Sequence, residues 1–287
     1  MIIEEIDIHI RKTDESRIKN LDLKNLKFGR MFSDHMMMCT YENGNWQTPE
    51  ICPFEPITMS PASAGLHYGQ SIFEGMKAYK NEDGQVTLFR PLENLKRLNA
   101  SAQRLCMPTL DEQVFMEGLK RLLEIDNAWI PSKPGFSLYI RPLMFADEAF
   151  LGVKPSNIYK FVIITSPSAA YYTNPVKVKI EKKFTRAIEG GVGFAKAAGN
   201  YAAALYPAQL ASEKGYDQII WTDGKSHDYI EEAGTMNIMF QIGDKLITPA
   251  LETQTILPGI TRDSTIKIAR DWGVEVEERR ISIAEIG

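Results

Sequence analysis

The stretch RAIEGGVGFAKAAGNY, from Arg186 to Tyr201, places a lysine in unusual surroundings. Lys196 is the only lysine between Lys183 and Lys214, and its immediate neighbours are small or apolar residues. A lysine on a solvated surface normally lies among charged residues, because its ammonium group is strongly hydrated. The stretch therefore indicates an amine that is sheltered from bulk water. The alternative interpretation is a solvated lysine beside a glycine-rich turn.

Two glycine-rich phosphate-binding motifs are excluded by the residues around this lysine. A dinucleotide fingerprint, G-x-G-x-x-G, fits Gly191 and Gly193 but requires a glycine where Lys196 stands. A P-loop requires a glycine directly before its lysine, and this sequence has Ala195 there. The remaining use of a sheltered lysine is nucleophilic chemistry, above all a Schiff base to a carbonyl compound or to pyridoxal phosphate.

Such chemistry requires a lysine whose pKa is lowered. A free lysine with a pKa of about 10.4 is neutral in roughly one molecule in 2,500 at pH 7. Lowering the pKa to about 7–8 takes roughly 3–4 kcal/mol of desolvation and nearby charge.

The composition limits the classes of protein to which this chain can belong. With 287 residues, 44% hydrophobic and 24% charged, the chain is long enough for about two domains with good cores. The net charge of -4 does not favour nucleic acid or a membrane surface as a partner. No apolar run reaches the length of a membrane span, and the chain start does not read as a signal peptide. The widely spaced Cys39, Cys52 and Cys106 indicate reduced thiols in a cytoplasmic protein, and the four histidines have no metal-ligand spacing, so no metal site is expected.

Apolar periodicity predicts an α+β chain in two domains. In the first domain we expect a strand over 28–39, a hairpin over 75–90, helices that begin near Pro91 and Asp111, and central strands over 136–142 and 159–165. The segment SPSAAYYTNP then has the composition of a linker. We therefore place an N-terminal domain at 1–166, a linker at 167–176 and a second domain at 177–287, with helices over 201–214 and 261–272.

A pyridoxal phosphate enzyme needs an anion site and a carboxylate near the pyridine nitrogen as well as the lysine. The segment LPGIT (257–261) leads into a predicted helix, whose free N–H groups and positive end favour an anion. Arg90 and Arg186 can add charge-assisted hydrogen bonds. Glu231 and Glu232, at a connection between strands, are the candidate carboxylates. Taken alone, these segments are also compatible with an ordinary capped helix and a solvated turn.

Seven motifs in unbroken order resemble those of the branched-chain amino acid aminotransferases, which are fold-type IV pyridoxal phosphate enzymes. They are FGRMFSDHM (28–36), LHYGQSIFEGMKAY (66–79), LFRPLEN (88–94), SLYIRP (137–142), KAAGNY (196–201), EAGTMNIMF (232–240) and LPGITR (257–262). The resemblance implies a fold-type IV architecture of two α+β domains joined by a short linker, a small one at 1–166 and the large cofactor-binding one at 177–287. It also implies pyridoxal 5'-phosphate as the cofactor.

The resemblance assigns cofactor-binding roles to matching positions. Lys196 is similar to the Schiff-base lysine, which also moves the proton between Cα and the cofactor's C4′. Glu232, and not Glu231, matches the carboxylate that faces the ring nitrogen, and Tyr201 matches the tyrosine at the ring oxygen. Four residues match phosphate ligands: Arg90 and Arg186, and also Ile260 and Thr261, which match through their backbone N–H groups. Thr235 matches a residue that lies beside the ring.

The resemblance also implies an apolar pocket for a branched side chain. Five aromatic residues match the walls of this pocket: Phe28, Tyr68, Phe73, Tyr139 and Tyr171. Arg141 matches an arginine close to the pocket. Aromatic walls suit an aliphatic side chain, whose burial gives about 1.5–3 kcal/mol. From spacing alone, core packing is the favoured interpretation of Phe73 and Tyr139. Leu151 and Val153 resemble a loop that closes the site of the neighbouring subunit, which implies a homodimer.

The implied activity is a ping-pong transfer of the amino group of L-leucine, L-isoleucine or L-valine to 2-oxoglutarate. The lysine and the glutamate also fit a D-amino acid aminotransferase or an aminodeoxychorismate lyase, but those lack the combination of LHYGQSIFEGMKAY with SLYIRP. Members of the family continue into a G-T-A loop that binds the substrate carboxylate, whereas this sequence ends at Gly287 in mid-element. A truncated, non-catalytic, cofactor-binding form is a further alternative, and we expect a chain ending at Gly287 to bind the cofactor weakly.

Overall fold

The chain divides into two compact units, Met1–Thr173 and Asn174–Gly287. The computed structural model describes residues 6–170 and 174–286 of them. Both units contain helices and strands, as expected of an α+β chain. The predicted domain limits stay a prediction, but the strand before the predicted linker continues to Ser168, so residues 167 and 168 are extended strand.

One large sheet forms the centre of the first unit. Its strands are β1 (His9–Ile10), β2 (His35–Glu42), β3 (Asn45–Trp46), β4 (Glu50–Pro53), β5 (Ser71–Phe73), β6 (Met76–Lys80), β7 (Val86–Leu88), β8 (Ser137–Ala146) and β9 (Tyr159–Ser168). The order is β1-β4-β2-β9-β8-β6-β7, with β3 beside β2 and β5 beside β8. The β1–β4 pair is parallel and the other described pairs of this sheet are antiparallel. The predicted central strands β8 and β9 and the predicted β6–β7 hairpin are confirmed.

Three helices accompany this sheet: α1 (Ala64–Tyr68), α2 (Pro91–Arg104) and α3 (Glu112–Ile125). Pro91 occupies the first turn of α2, where its missing N–H costs nothing. The side chain of Asp111 caps α3 by accepting a 2.7 Å hydrogen bond from the Gln113 N–H. Both helices bury their apolar stripes in the core of the first unit, so both predicted helix starts are confirmed.

The predicted strand over 28–39 begins only at His35. Residues 28 to 30 form a turn instead, with a 3.3 Å hydrogen bond from the Arg30 N–H to the Lys27 carbonyl. Gly29 has a φ of +66°, a left-handed conformation that interrupts an extended chain. Phe28 therefore lies in a turn and is substantially exposed.

Over residues 174–286, the second unit contains two small sheets and three helices. The first sheet has the order β10 (Val178–Ile180), β11 (Gln218–Thr222), β12 (Ile230–Ala233), and the second β13 (Phe240–Ile242), β14 (Lys245–Thr248), β15 (Glu275–Glu278). The helices are α4 (Ala198–Glu213), α5 (Ile260–Asp271) and α6 (Ile283–Ile286). The helix α4 begins three residues before its predicted start and continues through Pro207. The two glutamates expected in a connection lie within β12, paired antiparallel with β11.

None of the described helices combines the length and apolar character needed to cross a bilayer. Within residues 6–170 and 174–286, no group of three His, Cys, Asp or Glu side chains is arranged as metal ligands. The three cysteines are free, and burial raises the pKa of the Cys39 and Cys52 thiols to about 11. Those two thiols are therefore unreactive at neutral pH.

Candidate active site

The glycine-rich stretch before Lys196 forms a tight loop that leads into α4. Gly193 is required by a close approach, because a Cβ atom there would lie 2.5 Å from the Thr255 carbonyl oxygen. The Asn200 side chain closes the loop by donating hydrogen bonds of 2.9 and 3.0 Å to the carbonyls of Val192 and Ala195. The glycines therefore serve backbone packing in this loop.

Lys196 is half-buried at the end of this loop, between the buried Ala195 and Ala197. Its Nζ donates a 2.8 Å hydrogen bond to the hydroxyl of Tyr201, which lies in the first turn of α4. The structure thus brings together the predicted lysine and the predicted tyrosine. Because α4 starts at Ala198, both side chains are placed by the same short piece of backbone.

Glu232, on β12, is a carboxylate almost completely withdrawn from water, with an exposed fraction of 3%. Its Oε1 accepts hydrogen bonds from the Leu257 N–H at 2.9 Å and from Asn237 Nδ2 at 3.1 Å. Its Oε2 lies 2.8 Å from Arg186 Nε, in an ion pair whose N–H is not well aligned with the oxygen. Burial raises the pKa of Glu232 to about 7, against the lowering effects of Arg186 and the Leu257 N–H.

Arg186 lies against this carboxylate and holds two further groups. Its Nη2 donates to the Thr255 carbonyl through a short hydrogen bond and to the Gly193 carbonyl at 3.3 Å. The guanidinium therefore links the glycine-rich loop, the segment around Thr255 and β12. Its observed anionic partner is Glu232, and the predicted role of Arg186 as a phosphate ligand stays a prediction.

The start of α5 is fixed close to Glu232 by backbone contacts. Asn237 bridges the Glu232 carboxylate and the Leu257 carbonyl, the latter at 2.8 Å. A Cβ atom on Gly259 would lie 1.9 Å from Asn237 Oδ1, so a larger residue there would have to displace the Asn237 side chain and its two hydrogen bonds. Ile260 and Thr261 follow as the first residues of the helix, where the backbone N–H groups and the positive end of the helix favour an anion.

Four of the predicted cofactor residues line one pocket in the second unit, together with Leu257 and Asn200: Arg186, Tyr201, Glu232 and Thr235. Lys196 joins them through its bond to Tyr201. The supporting residues Asn200, Asn237 and Thr255 were not singled out from the sequence. Asn200 and Asn237 lie inside the motifs KAAGNY and EAGTMNIMF, but a side-chain amide that binds backbone carbonyls has no spacing signal of its own.

In the first unit, the predicted substrate residues form an aromatic cluster around Arg141. The rings of Phe28 and Tyr139 meet edge to face at 5.0 Å. The Arg141 guanidinium lies 4.4 Å from the ring centroid of Phe73, and its Nη2 donates a 2.9 Å hydrogen bond to the Tyr139 hydroxyl. A Cβ atom on Gly75 would lie 2.3 Å from that hydroxyl, which explains the glycine. Phe73 and Tyr139 are therefore not simply core residues.

Two other predicted residues of the first unit lie on an exposed segment, and a third, Tyr68 at the end of α1, contacts that segment. Leu151 and Val153 are 65% and 87% exposed, and the Tyr68 hydroxyl donates a short hydrogen bond to the Leu151 carbonyl. The remaining predicted pocket residue, Tyr171, lies outside the described residues.

Arg90 has a strained backbone directly before Pro91. Its φ of 51° and ψ of 49° are left-handed, which costs a non-glycine residue about 1–2 kcal/mol. Such strain is concentrated at functional sites, because it persists only where the surroundings impose it. The conformation is consistent with a special role for Arg90, and its predicted contact with a phosphate stays a prediction.

Comparison with known proteins identifies the family. The family model described as amino-transferase class IV matches residues 71–287. The chain belongs to the class IV aminotransferases. Within this class it is 50% identical to branched-chain-amino-acid aminotransferase 2 of Bacillus subtilis (strain 168) over 269 residues, which cover 92% of this chain and 74% of the relative. It is 53% identical to a probable branched-chain-amino-acid aminotransferase of Staphylococcus aureus (strain N315) over 266 residues, 91% of this chain and 74% of the relative.

Solved structures of this class have the same fold. The crystal structure of the Escherichia coli branched-chain amino acid aminotransferase matches with a TM-score of 0.72 at 29% identity, covering 87% of this chain and 78% of that chain. The branched-chain amino acid aminotransferase of Thermobaculum terrenum, in its PLP-form, matches with a TM-score of 0.72 at 25% identity, covering 88% and 78%. The predicted branched-chain aminotransferase family and the predicted fold class are confirmed, and the protein is an aminotransferase.

The close approach at Gly193 in this aminotransferase gives a first prediction. In a Gly193→Ala variant the added carbon would meet the Thr255 carbonyl at 2.5 Å and the Ala187 Cβ at 2.6 Å, so one of them must move. We expect the free energy of unfolding to fall by about 1–3 kcal/mol, as in other overpacked sites. Urea denaturation measures this loss. The matched control is Gly199→Ala in α4, where no atom lies within 4 Å of the added carbon. Equal stabilities of the two variants would contradict the close approach.

The burial of Glu232 gives a second prediction, for the protein without cofactor. The pKa of this carboxyl is about 7 in the folded state and 4.5 ordinarily, so its stabilising contribution is complete below pH 4.5 and is lost as the pH rises through 7. A Gln at this position does not titrate. We expect the free energy of unfolding of Glu232→Gln minus that of the parent to increase by about 2–3 kcal/mol between pH 5 and pH 8, because only the parent loses stability over this range. Urea denaturation at a series of pH values measures it, and a constant difference would refute the burial of a charge there.

Proposed function

We propose that this protein is a pyridoxal phosphate-dependent transaminase, which moves the amino group of L-leucine, L-isoleucine or L-valine to 2-oxoglutarate by a ping-pong mechanism. The observation that supports it most is the buried carboxylate of Glu232, which shares a pocket with Tyr201, the hydrogen-bond partner of Lys196. The branched-chain substrates follow the names of relatives that are 50% and 53% identical over most of the chain. A class IV aminotransferase uses pyridoxal phosphate, and the Thermobaculum terrenum relative was solved in its PLP-form.

The residues present fit this cofactor. The pKa of Glu232 remains raised to about 7 although Arg186 and two N–H donors contact the carboxylate. A further cation beside it, such as a protonated pyridine nitrogen, would offset the remaining cost of burial. The start of α5 after Leu257 provides backbone N–H groups for a phosphate, and Lys196 provides an amine on a fixed loop.

Each of these residues has a role in the proposed reaction. When bound, pyridoxal phosphate supplies an electron-withdrawing ring that carries the amino group from one substrate to the other. Glu232 keeps the ring nitrogen protonated, and Tyr201 orients Lys196 through the 2.8 Å hydrogen bond. With the cofactor held in this pocket, Lys196 Nζ would take the proton from the substrate Cα and would return it at C4′. Thr235 borders the pocket beside these groups.

We propose that the aromatic cluster around Arg141 receives the side chain of the substrate. The rings of Phe28, Phe73 and Tyr139 suit an aliphatic group, since burying one of the size of leucine's gives about 1.5–3 kcal/mol. The second substrate carries a carboxylate at the same place, and Arg141 or a tyrosine hydroxyl can satisfy that charge. One pocket can thus accept both an apolar and an acidic side chain.

The absorption spectrum of the purified protein with pyridoxal phosphate tests this function. We expect a Schiff-base band that converts to the pyridoxamine form when L-leucine is added, and not when D-alanine is added. The Lys196→Ala variant is expected to lose the band and essentially all turnover, because no other group supplies the amine and the proton transfer. Lys182→Ala, an exposed lysine of the same unit, is the control and should behave as the parent.

Other results of this experiment would identify a rival function. Conversion by D-alanine in place of L-leucine would indicate a D-amino acid aminotransferase. A band that responds to neither amino acid would indicate an aminodeoxychorismate lyase or a non-catalytic form. Appreciable transamination by Lys196→Ala would refute the assignment of the lysine.

We further propose that the enzyme is a cytoplasmic homodimer, with the loop at Leu151 and Val153 in the interface. An exposed apolar patch supports the interface: Leu66, Tyr68, Phe150, Leu151 and Val153. Apolar patches of this kind mark interaction surfaces. The free cysteines agree with a reducing compartment.

A charge placed on this patch tests the dimer. We expect Val153→Asp to weaken self-association at least tenfold, because the carboxylate would lose its hydration in an apolar interface. Sedimentation equilibrium measures the effect. Gln85→Asp, which adds the same charge at an exposed position of the β6–β7 hairpin, is the control. A dimer that survives Val153→Asp with unchanged affinity would exclude this loop from the interface.

A further inference from the structure

Thr255 and Glu231 form a buried contact on the side of β12 opposite to Glu232. Thr255 Oγ1 donates a 2.6 Å hydrogen bond to Glu231 Oε1. Both residues are more than nine-tenths buried. Because successive side chains of a strand point to opposite faces, Glu231 is directed away from the pocket that Glu232 lines. The contact therefore lies outside the proposed cofactor site.

The backbone around Thr255 nevertheless positions two of the groups that contact the Glu232 carboxylate. The Thr255 carbonyl accepts the hydrogen bond from Arg186, whose Nε forms the ion pair with Glu232. Two residues later, the Leu257 N–H donates the 2.9 Å hydrogen bond to Glu232 Oε1. The segment 255–257 thus holds β12 from both faces, through Glu231 on one side and Glu232 on the other.

We propose that Glu231 and Thr255 are positioning residues for Glu232: their hydrogen bond fixes the segment that presents Arg186 and the Leu257 N–H to the Glu232 carboxylate. Neither residue touches the cofactor in this proposal, and both act through their neighbours. The proposal rests on the proposed function, since it assigns the two residues to the carboxylate that serves the ring nitrogen.

The charges around Glu232 make its titration a sensitive reporter of this positioning. Arg186 and the Leu257 N–H lower the pKa of Glu232, as does the more distant Lys196, whereas the charge of Glu231 raises it. The two strongest of the lowering influences depend on the position of the segment 255–257. If the hydrogen bond from Thr255 to Glu231 is removed, we expect the contacts of the Glu232 carboxylate with Arg186 and with the Leu257 N–H to weaken. The pKa of Glu232 then rises further. A merely structural role of the bond would lower the stability of the protein without moving this titration.

The test is a carbon-13 NMR titration of the Glu232 carboxyl in the full chain without cofactor, assigned by its absence in Glu232→Gln. We expect Thr255→Val, which keeps the shape and removes the hydroxyl, to raise the titration midpoint by about one pH unit. Thr255→Ser keeps the hydroxyl and should restore the parent value. The matched control is Thr253→Val. It removes a neighbouring hydroxyl that lies 2.8 Å from Thr255 Oγ1 and is not the hydrogen-bond partner of Glu231. This variant should leave the Glu232 midpoint unchanged.

A second pair of variants breaks the same bond from the other partner, in case Thr255→Val does not fold. Glu231→Gln and Glu231→Met both remove the negative charge, but only Gln keeps an oxygen that can accept from Thr255. We expect the Glu232 midpoint of the Met variant to exceed that of the Gln variant by about one pH unit. At a pH below both midpoints, where the ionised fraction of Glu232 differs tenfold per unit, the dissociation constant of pyridoxal phosphate should also be about tenfold higher for Met than for Gln.

The outcomes separate this proposal from the proposed function. Equal Glu232 midpoints in Thr255→Val and the parent, or in the two Glu231 variants, would overturn the positioning role. Failure of the parent to bind pyridoxal phosphate or to respond to L-leucine would overturn the proposed function, and the titration would still decide the role of Thr255, because it requires neither cofactor nor turnover.

Discussion

The second unit is organised around one electrostatic constraint, the burial of the Glu232 carboxylate. Moving such a group out of water costs several kcal/mol unless it is paired and hydrogen-bonded. Arg186, Asn237 and the Leu257 N–H provide that compensation, and each of them comes from a different segment of the chain. The glycine-rich loop, the turn after β12 and the start of α5 must therefore meet at one point. The pKa of about 7 shows that the compensation is incomplete, so the site favours a further cation.

Much of the fold could be predicted from the sequence, because its signals are local. The starts of α2 and α3 follow from Pro91, from the Asp111 cap and from apolar stripes of helical period. The hairpin and the central strands have equally local signals. The strand β12 could not be predicted, since its adjacent glutamates show no alternation of apolar and polar residues. Each glutamate accepts a hydrogen bond from a residue 24 or 25 positions away in the chain, and such partners are visible only in the folded protein.

The candidate site was predictable to a similar extent. Lys196 was recognisable because its small, apolar neighbours are atypical of a surface lysine, and it is indeed half-buried. Its link to Tyr201 depends on α4 starting at Ala198, earlier than periodicity indicated. The role of Arg186 in pairing with Glu232 had no local signal, and the aromatic cluster around Arg141 had the spacing of ordinary core residues. For these residues the resemblance to a family supplied what spacing could not.

The alternation of side chains along β12 has a consequence for how this enzyme can change its sequence. Glu231 and Glu232 are chemically identical and adjacent, yet one faces the Thr255 side chain and the other the proposed cofactor pocket. A deletion or insertion of a single residue in the strand before Glu231 would turn both glutamates to the opposite faces of the sheet. An insertion would carry Glu231 into the place of Glu232, and a deletion would carry Glu232 into the place of Glu231. In either case one of the two places would lose its glutamate. The register of β12 is thus constrained as strictly as the identity of its two glutamates.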